Sequence, residues 1–266
     1  EGYRANQPRP PLRQVDCVLP AMRTASSPAA LSFFKMTPQI FPDSNAVAKA
    51  AALLIASEAR QAVAARGRFI MAVSGGKTPW QMLRELAHEE VPWASFHIVQ
   101  VDERIAPAGD PDRNLTHLRE SLLSHAPIPP EQIHAMPVEA ADPEKACLDY
   151  TGVLNSLCGN PPVIDLVHLG LGPDGHTASL IPGDAVCQVH DREVALTGLY
   201  QNRRRMTLTY PVINRSRTIL WVVTGAEKAP MVPRLLAGDP QIPAGPIAQK
   251  NAILLLDAPA AAGIGK

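Results

Sequence analysis

The sequence predicts an α/β fold built on a single doubly wound, mostly parallel sheet. Three observations carry that expectation. Apolar, branched runs of strand length recur at residues 69–73, 96–101, 163–169 and 218–223, as expected of strands buried on both faces. The order strand, turn, helix repeats at least four times along the chain, which is the pattern of a parallel sheet with crossover helices. No internal repeat or heptad is evident, and 266 residues are enough to bury a sizeable core, so one α/β catalytic domain over residues 36–266 is expected.

Residues 1–35 differ in character. Prolines are frequent, Arg4, Arg9, Arg13 and Arg23 outnumber the acidic residues, and no periodicity persists. A poorly ordered extension is expected, with Met36 as a candidate natural start; an organelle transit peptide is the weaker alternative, because Asp16 and the prolines spoil an amphipathic helix. Lys plus Arg and Asp plus Glu are each 25 and the pI is near 7.3, so no global field favours nucleic acid or an anionic membrane. The expected partner is a small molecule, and the expected state a monomer or weak homodimer. Four cysteines show no C-x-x-C pairing and no neighbouring histidine cluster, which argues against a zinc site or disulfide framework and suits a reduced, cytoplasmic protein. The apolar runs near residues 50–56 and 252–256 are broken by Lys49, Glu58 and Asp257, well short of the roughly 18 residues a membrane span needs.

The first helix is expected from Asp43 or Ser44 as N-cap to a stop at Gly67, since short polar side chains open helices and glycine closes them. Residues 69–73 read as a strand running into Ser74-Gly-Gly-Lys-Thr-Pro79 and a helix from Pro79 to about Ala87; proline suits the first turn, where its missing N–H costs nothing. Strand 96–101 ends in Asp102-Glu-Arg104, three charged residues expected to face the same crevice, before a loop, Asn114 and a helix over 115–124. Residues 126–145 form a Pro-rich connection with a short strand at 133–136, then a helix to about Leu157 and a connection at Gly159-Asn-Pro-Pro162. After a less regular segment to about Gln201, the alternation in Arg203-Arg-Arg-Met-Thr-Leu-Thr209 predicts a strand with Arg205, Thr207 and Thr209 on one side. A short helix at 211–216, strand 218–223 ending in Thr224-Gly-Ala-Glu-Lys228, and a last strand at 252–256 complete the domain.

Chemistry is concentrated at the strand ends. Residues 163–169 pass into a turn containing Gly170, Gly172 and Gly175, which delivers Asp174 and His176 beyond the strand's carboxyl end, where open α/β sheets place their ligands. An acid and an imidazole two residues apart can be held in one pocket for proton transfer. Gly170-Leu-Gly-Pro-Asp-Gly175 matches the dinucleotide fingerprint in letters alone: Asp174 sets an anion where phosphates would sit, and Pro173 deletes an N–H that would bind them. The turn Ser74, Gly75, Gly76, Lys77, Thr78 ahead of a helix makes an anion cradle of free N–H groups, two hydroxyls and the positive end of the dipole. It is neither a P-loop nor a nucleophile elbow, because Met71 and Ala72 stand where those motifs need glycine. Arg104 can bind phosphate bidentately or meet a developing oxyanion, and Lys228 is a further candidate phosphate ligand.

Five blocks in order resemble the 6-phosphogluconolactonase subfamily of the glucosamine/galactosamine-6-phosphate isomerase family: Ser74-Gly-Gly-Lys-Thr-Pro79, Val101-Asp-Glu-Arg104 with Asn114, Gly172-Pro-Asp-Gly-His-Thr-Ala-Ser-Leu180, Arg205-Met-Thr-Leu-Thr209 and Gly225-Ala-Glu-Lys228. The third is the most specific, since the related glucosamine-6-phosphate deaminases share Asp-Gly-His but usually continue differently. The resemblance implies a modified Rossmann-like fold, shared with those deaminases, ribose-5-phosphate isomerase and CoA-transferases. It also implies a phosphorylated sugar lactone as substrate, no organic cofactor and no metal. Asp102 and Asn114 join the substrate-binding residues on the same ground. Lys77 and Arg113 depart from the family, which usually has serine at both places, and both are expected to add positive charge beside the substrate.

The implied reaction is hydrolysis of 6-phospho-D-glucono-1,5-lactone to 6-phosphogluconate. His176 would take a proton from the attacking water and Asp174 would orient it. Arg104 with backbone N–H groups would stabilise the tetrahedral oxyanion, while Arg205, Lys228 and residues 74–78 hold the phosphate. The alternatives are an amino-sugar-phosphate deaminase on the same fold, or a non-catalytic sugar-phosphate sensor, which would normally carry a DNA-binding helix pair that the Pro-rich first 40 residues cannot supply.

Overall fold

The computed structural model describes residues 36–264; the extension expected over residues 1–35 lies outside them. In chain order the strands are β1 (Pro38–Phe41), β2 (Phe69–Val73), β3 (Phe96–Gln100), β4 (Asp102–Arg104), β5 (Ile133–His134), β6 (Leu166–Leu169), β7 (Val194–Leu196), β8 (Arg205–Leu208), β9 (Thr218–Val223) and β10 (Ala252–Asp257). The α-helices are α1 (Ser44–Arg66), α2 (Lys77–Leu86), α3 (Asn114–Leu118), α4 (Pro143–Cys158), α5 (Tyr210–Arg215), α6 (Val232–Ala237) and α7 (Ala258–Ala261).

Helix α1 forms as its sequence dictates. Asp43 caps it by accepting from the Ala46 N–H at 2.8 Å, and Gly67, at φ 76°, closes it in the left-handed conformation that glycine adopts freely. Its alanine-rich face packs onto a sheet whose inner strands are buried on both sides. Along β2, Phe69, Met71 and Val73 face the α1 and α2 side, whereas Ile70 and Ala72 face the α4 side. That two-sided burial is what a doubly wound sheet requires.

Seven strands run parallel in the order β1-β10-β9-β6-β2-β3-β5. From β2 the chain winds outward through β3 to β5; it then returns to β6, beside β2, and winds the other way through β9 to β10. The order therefore reverses between β2 and β6, and the loops after these two strands diverge to leave a crevice at their carboxyl ends.

A second, antiparallel sheet, β4-β8-β7, adds to the single sheet the sequence predicts. Residue Val101 joins β3 directly to β4: its N–H donates to the Val73 carbonyl oxygen, and its own carbonyl accepts from Leu208. Expected elements shift modestly elsewhere. Helix α2 begins at Lys77, two residues ahead of Pro79, the 115–124 helix continues from α3 as one π turn (Arg119–Leu123), and β6 starts at Leu166. Strands β1, β4 and β7 are unforeseen; each is three or four residues long, too short for periodicity to reveal. Among the described residues no helix is long and apolar enough to cross a membrane.

Candidate active site

A cavity of about 300 Å³ opens at the switch point, and every site residue expected from the sequence lines it except Asp174, which is hydrogen-bonded to His176, and Glu103 and Arg113. Its floor is the cradle after β2. Gly76, at φ 123°, is the N-cap of α2 and makes no side-chain cap bond, leaving the first helical N–H groups free for an anion. Gly75 must lack a side chain, since a Cβ there would lie 1.9 Å from Asn114 Oδ1. Thr78 Oγ1 bonds Thr224 Oγ1 at 2.7 Å, tying the cradle to the end of β9, and Lys77 stands exposed at the rim. Beneath, the Ser74 N–H points at Nδ1 of His168 at 3.4 Å; complete burial pushes that imidazole down to about 3, so it is neutral and can accept.

One wall comes from β4 and β8. Asp102 Oδ2 accepts from Ser179 Oγ at 2.6 Å, Asn114 Nδ2 donates to the Asp102 carbonyl oxygen at 2.9 Å, and Asn114 Oδ1 accepts from Arg104 Nη1 at 2.8 Å. Asp102 is thereby spent on holding neighbours. Arg104 and Arg205 are direct cross-strand partners, and the Nε of each is buried without a partner. Burial first, and the Arg104 charge second, lower the Arg205 pKa. Like charges opposed in this way destabilise a sheet unless an anion joins them.

Two sequence expectations are corrected here. Glu103 does not face the crevice: it is fully buried and its carboxylate accepts from the Asn114 N–H at 2.7 Å and the Leu115 N–H at 2.8 Å, capping α3. Arg113 does not add charge beside the cavity, because it is buried against Glu103, Nε to Oε2 3.2 Å, and donates to the Ala106 carbonyl oxygen. Strand alternation explains both, since Asp102 and Arg104 face one way and Glu103 the other.

The turn after β6 supplies the remaining wall. His176 Nδ1 lies 2.6 Å from Asp174 Oδ1, which also accepts the His176 backbone N–H at 3.1 Å. Burial would raise the Asp174 pKa, but the His176 hydrogen bonds and charge outweigh it and hold the carboxyl below its usual value. A carboxylate only accepts, so in the neutral imidazole the proton belongs on Nδ1, which leaves Nε2 as the lone-pair nitrogen. Lys228 ends the short 3-10 helix Ala226–Lys228 and lines the cavity, its Nζ 3.7 Å from Glu227 Oε1. That turn is anchored by the Gly225 N–H, which donates to the Asp257 carboxylate at 3.1 Å.

Sequence reasoning missed Ser179, Thr224 and Tyr200. The first two lie inside quoted motifs whose spacing gave no reason to single them out; Tyr200 falls in the segment read as irregular and reaches the site through a hairpin. Among the described residues no cluster suits a metal ion.

By fold the chain falls among doubly wound α/β proteins of this topology. A 6-phosphogluconolactonase from Thermotoga maritima superposes with a TM-score of 0.75 at 26% identity, covering 84% of this chain and all of that one. A monomeric glucosamine-6-phosphate deaminase superposes with a TM-score of 0.76 at 20% identity, covering 86% of this chain and all of that one, a likeness of fold. The sequence model described as glucosamine-6-phosphate isomerases/6-phosphogluconolactonase matches residues 42–255, and the chain belongs to that family. Among its relatives are the 6-phosphogluconolactonases of Mycobacterium tuberculosis, 37% identical over 238 residues (84% of this chain, 96% of that protein), and of Nostoc sp., 36% identical over 207 residues (76% and 86%).

Proposed function

We propose that this chain hydrolyses 6-phospho-D-glucono-1,5-lactone to 6-phosphogluconate, the lactone-opening step of the oxidative pentose phosphate pathway. The observation that carries the residue roles is the meeting, in one cavity, of the Asp174-oriented His176 with two opposed arginines, Arg104 and Arg205. The cradle of residues 74–78, with Arg205 and Lys228, holds the phosphate. Nε2 of His176 takes a proton from water as its oxygen attacks the lactone carbonyl. Negative charge develops on the carbonyl oxygen, where Arg104 meets it; one such donor is worth about 3 kcal/mol. Collapse of the tetrahedral intermediate breaks the ring C–O bond, and the imidazolium returns its proton to the leaving ring oxygen. Asp102 and Asn114 brace Arg104 and border the substrate.

The enzyme works on this small molecule with residues 36–266 as its catalytic domain, as a monomer or weak homodimer. The free thiols of Cys147, Cys158 and Cys187 support a reduced cytoplasmic setting. The test is direct: freshly prepared lactone should disappear faster with the protein than in buffer, without added metal or nucleotide. An unchanged rate together with ammonia release from glucosamine 6-phosphate would reassign it as a deaminase, and ligand-induced stabilisation with no chemistry would reassign it as a sensor.

A further inference from the structure

Tyr200 touches both halves of the site chemistry. Its hydroxyl donates to Asp174 Oδ2 at 3.2 Å, the carboxylate oxygen that His176 does not use. Its ring meets the His176 imidazole edge-on, centroids 5.9 Å apart at 66°, and lies under the Arg205 guanidinium at 4.9 Å, within cation–π range. Arg205 Nη2 also donates to Oε1 of the next residue, Gln201, at 2.9 Å.

The backbone carrying Tyr200 is strained and clamped. Tyr200 and Arg203 exchange backbone hydrogen bonds of 3.0 and 3.2 Å around Gln201 and Asn202, which take φ of 50° and 62°. Hairpin turns of this kind favour glycine at such positions, and two non-glycine residues persist there because their surroundings over-determine them. Arg203 supplies that constraint, reaching Asp112 and Asp110 at 2.9 Å each, and the Gly198 N–H is held by Asp184 Oδ2 at 2.9 Å.

We infer that Tyr200 is a positioning residue that couples the acid–base pair to the anion clamp, its hydroxyl fixing the Asp174 carboxylate and its ring face fixing the Arg205 guanidinium. The inference rests on the roles proposed above for His176 and Arg205. Without the hydroxyl, Asp174 can turn about its terminal torsion, a broad one for carboxylates, and the His176 Nδ1–H loses a fixed acceptor. Without the ring, Arg205 loses the surface that aims it into the cavity.

Tyr200→Phe and Tyr200→Leu separate these two functions, with thermal melting to confirm that both fold. Tyr200→Phe should lower kcat by about three- to tenfold, the range of one long, solvent-exposed hydrogen bond, and leave KM nearly unchanged. Introduced into an Asp174→Asn background it should cost nothing further. Tyr200→Leu should in addition raise KM and weaken 6-phosphogluconate binding measured by calorimetry. His176→Asn is assayed alongside: near-normal turnover in that variant would remove the reading on which the inference rests. A crippled His176→Asn beside a Tyr200→Phe of wild-type kcat, or a Tyr200→Leu of wild-type KM and product affinity, would overturn the coupling role alone.

Discussion

Arg104 and Arg205 stand directly opposite each other across the β4–β8 pair, each with a buried Nε that no protein group accepts. Like charges directly opposed across a strand pair cost stability unless an anion joins them, so the unliganded pair is held at the expense of the sheet. Arg205→Ala should weaken binding of 6-phosphogluconate about tenfold to a hundredfold, the range for a hydrogen bond to a charged group. Lys228→Ala should act in the same direction, and affinity for unphosphorylated gluconate should stay equally poor for both. Affinities falling by one factor for both ligands would show that these residues serve the fold instead.

His176→Asn should preserve folding and product affinity while lowering kcat by about 10²- to 10⁴-fold, the loss expected for a general base. Steady-state kinetics with calorimetry of product binding check it. Turnover near the wild-type level would remove His176 from the mechanism; Asp102, whose oxygens are committed to Ser179 and Asn114, is a poor replacement.

Gly172 supports that histidine by having no side chain. Its N–H donates to the His176 carbonyl oxygen at 2.8 Å, and a Cβ would stand 2.2 Å from Nδ1 and 2.6 Å from Asp174 Oδ1. Gly172→Ala should therefore displace the pair and depress kcat nearly as far as His176→Asn, with product affinity reduced little. Full activity in Gly172→Ala would mean that the turn can shift without moving the base.

Acid should destabilise the protein through His168. Its imidazole is neutral in both folded and unfolded chains above pH 6.5; below that the unfolded chain binds a proton that the folded protein, with a pKa near 3, refuses. Stability thus falls as pH drops from 6.5 toward 3, by about 2 kcal/mol between roughly pH 7.5 and 5 from this group alone. Burial, and then Arg68 and His97 respectively, lower His97 and His134 as well, adding in the same direction. Urea denaturation at the two pH values measures the sum. His168→Leu should shrink the difference by His168's share, and an unaltered difference would exclude it as the source.

The elements legible in the sequence are those whose causes are local. Asp43 and Gly67 bracket α1 because a cap and a left-handed residue act on their own helix. The apolar, branched run 218–223 reads as a strand, and β9 matches it residue for residue. The cradle, the glycine turn and the cations at 104, 205 and 228 were recognisable because a strand end followed by glycine is a ligand position in any open α/β sheet. The Asp102-Glu-Arg104 segment shows where such reasoning stops: three adjacent charges look like one solvated loop, and the sequence does not say that they form a strand.

The order of the longer strands and helices, the bounds of α1 and the residue types at each strand end were thus determined by the sequence itself, through propensity, capping and apolar periodicity acting over a few residues. Tertiary structure alone decided how those ends meet. Pairing β4 with β8, a hundred residues apart, turned Arg104 toward Arg205 and sent Glu103 inward to Arg113, and the β7–β8 hairpin brought Tyr200 to Asp174. Strand register and cross-chain hydrogen bonds depend on which distant segments share a core, and no local pattern along the chain encodes that.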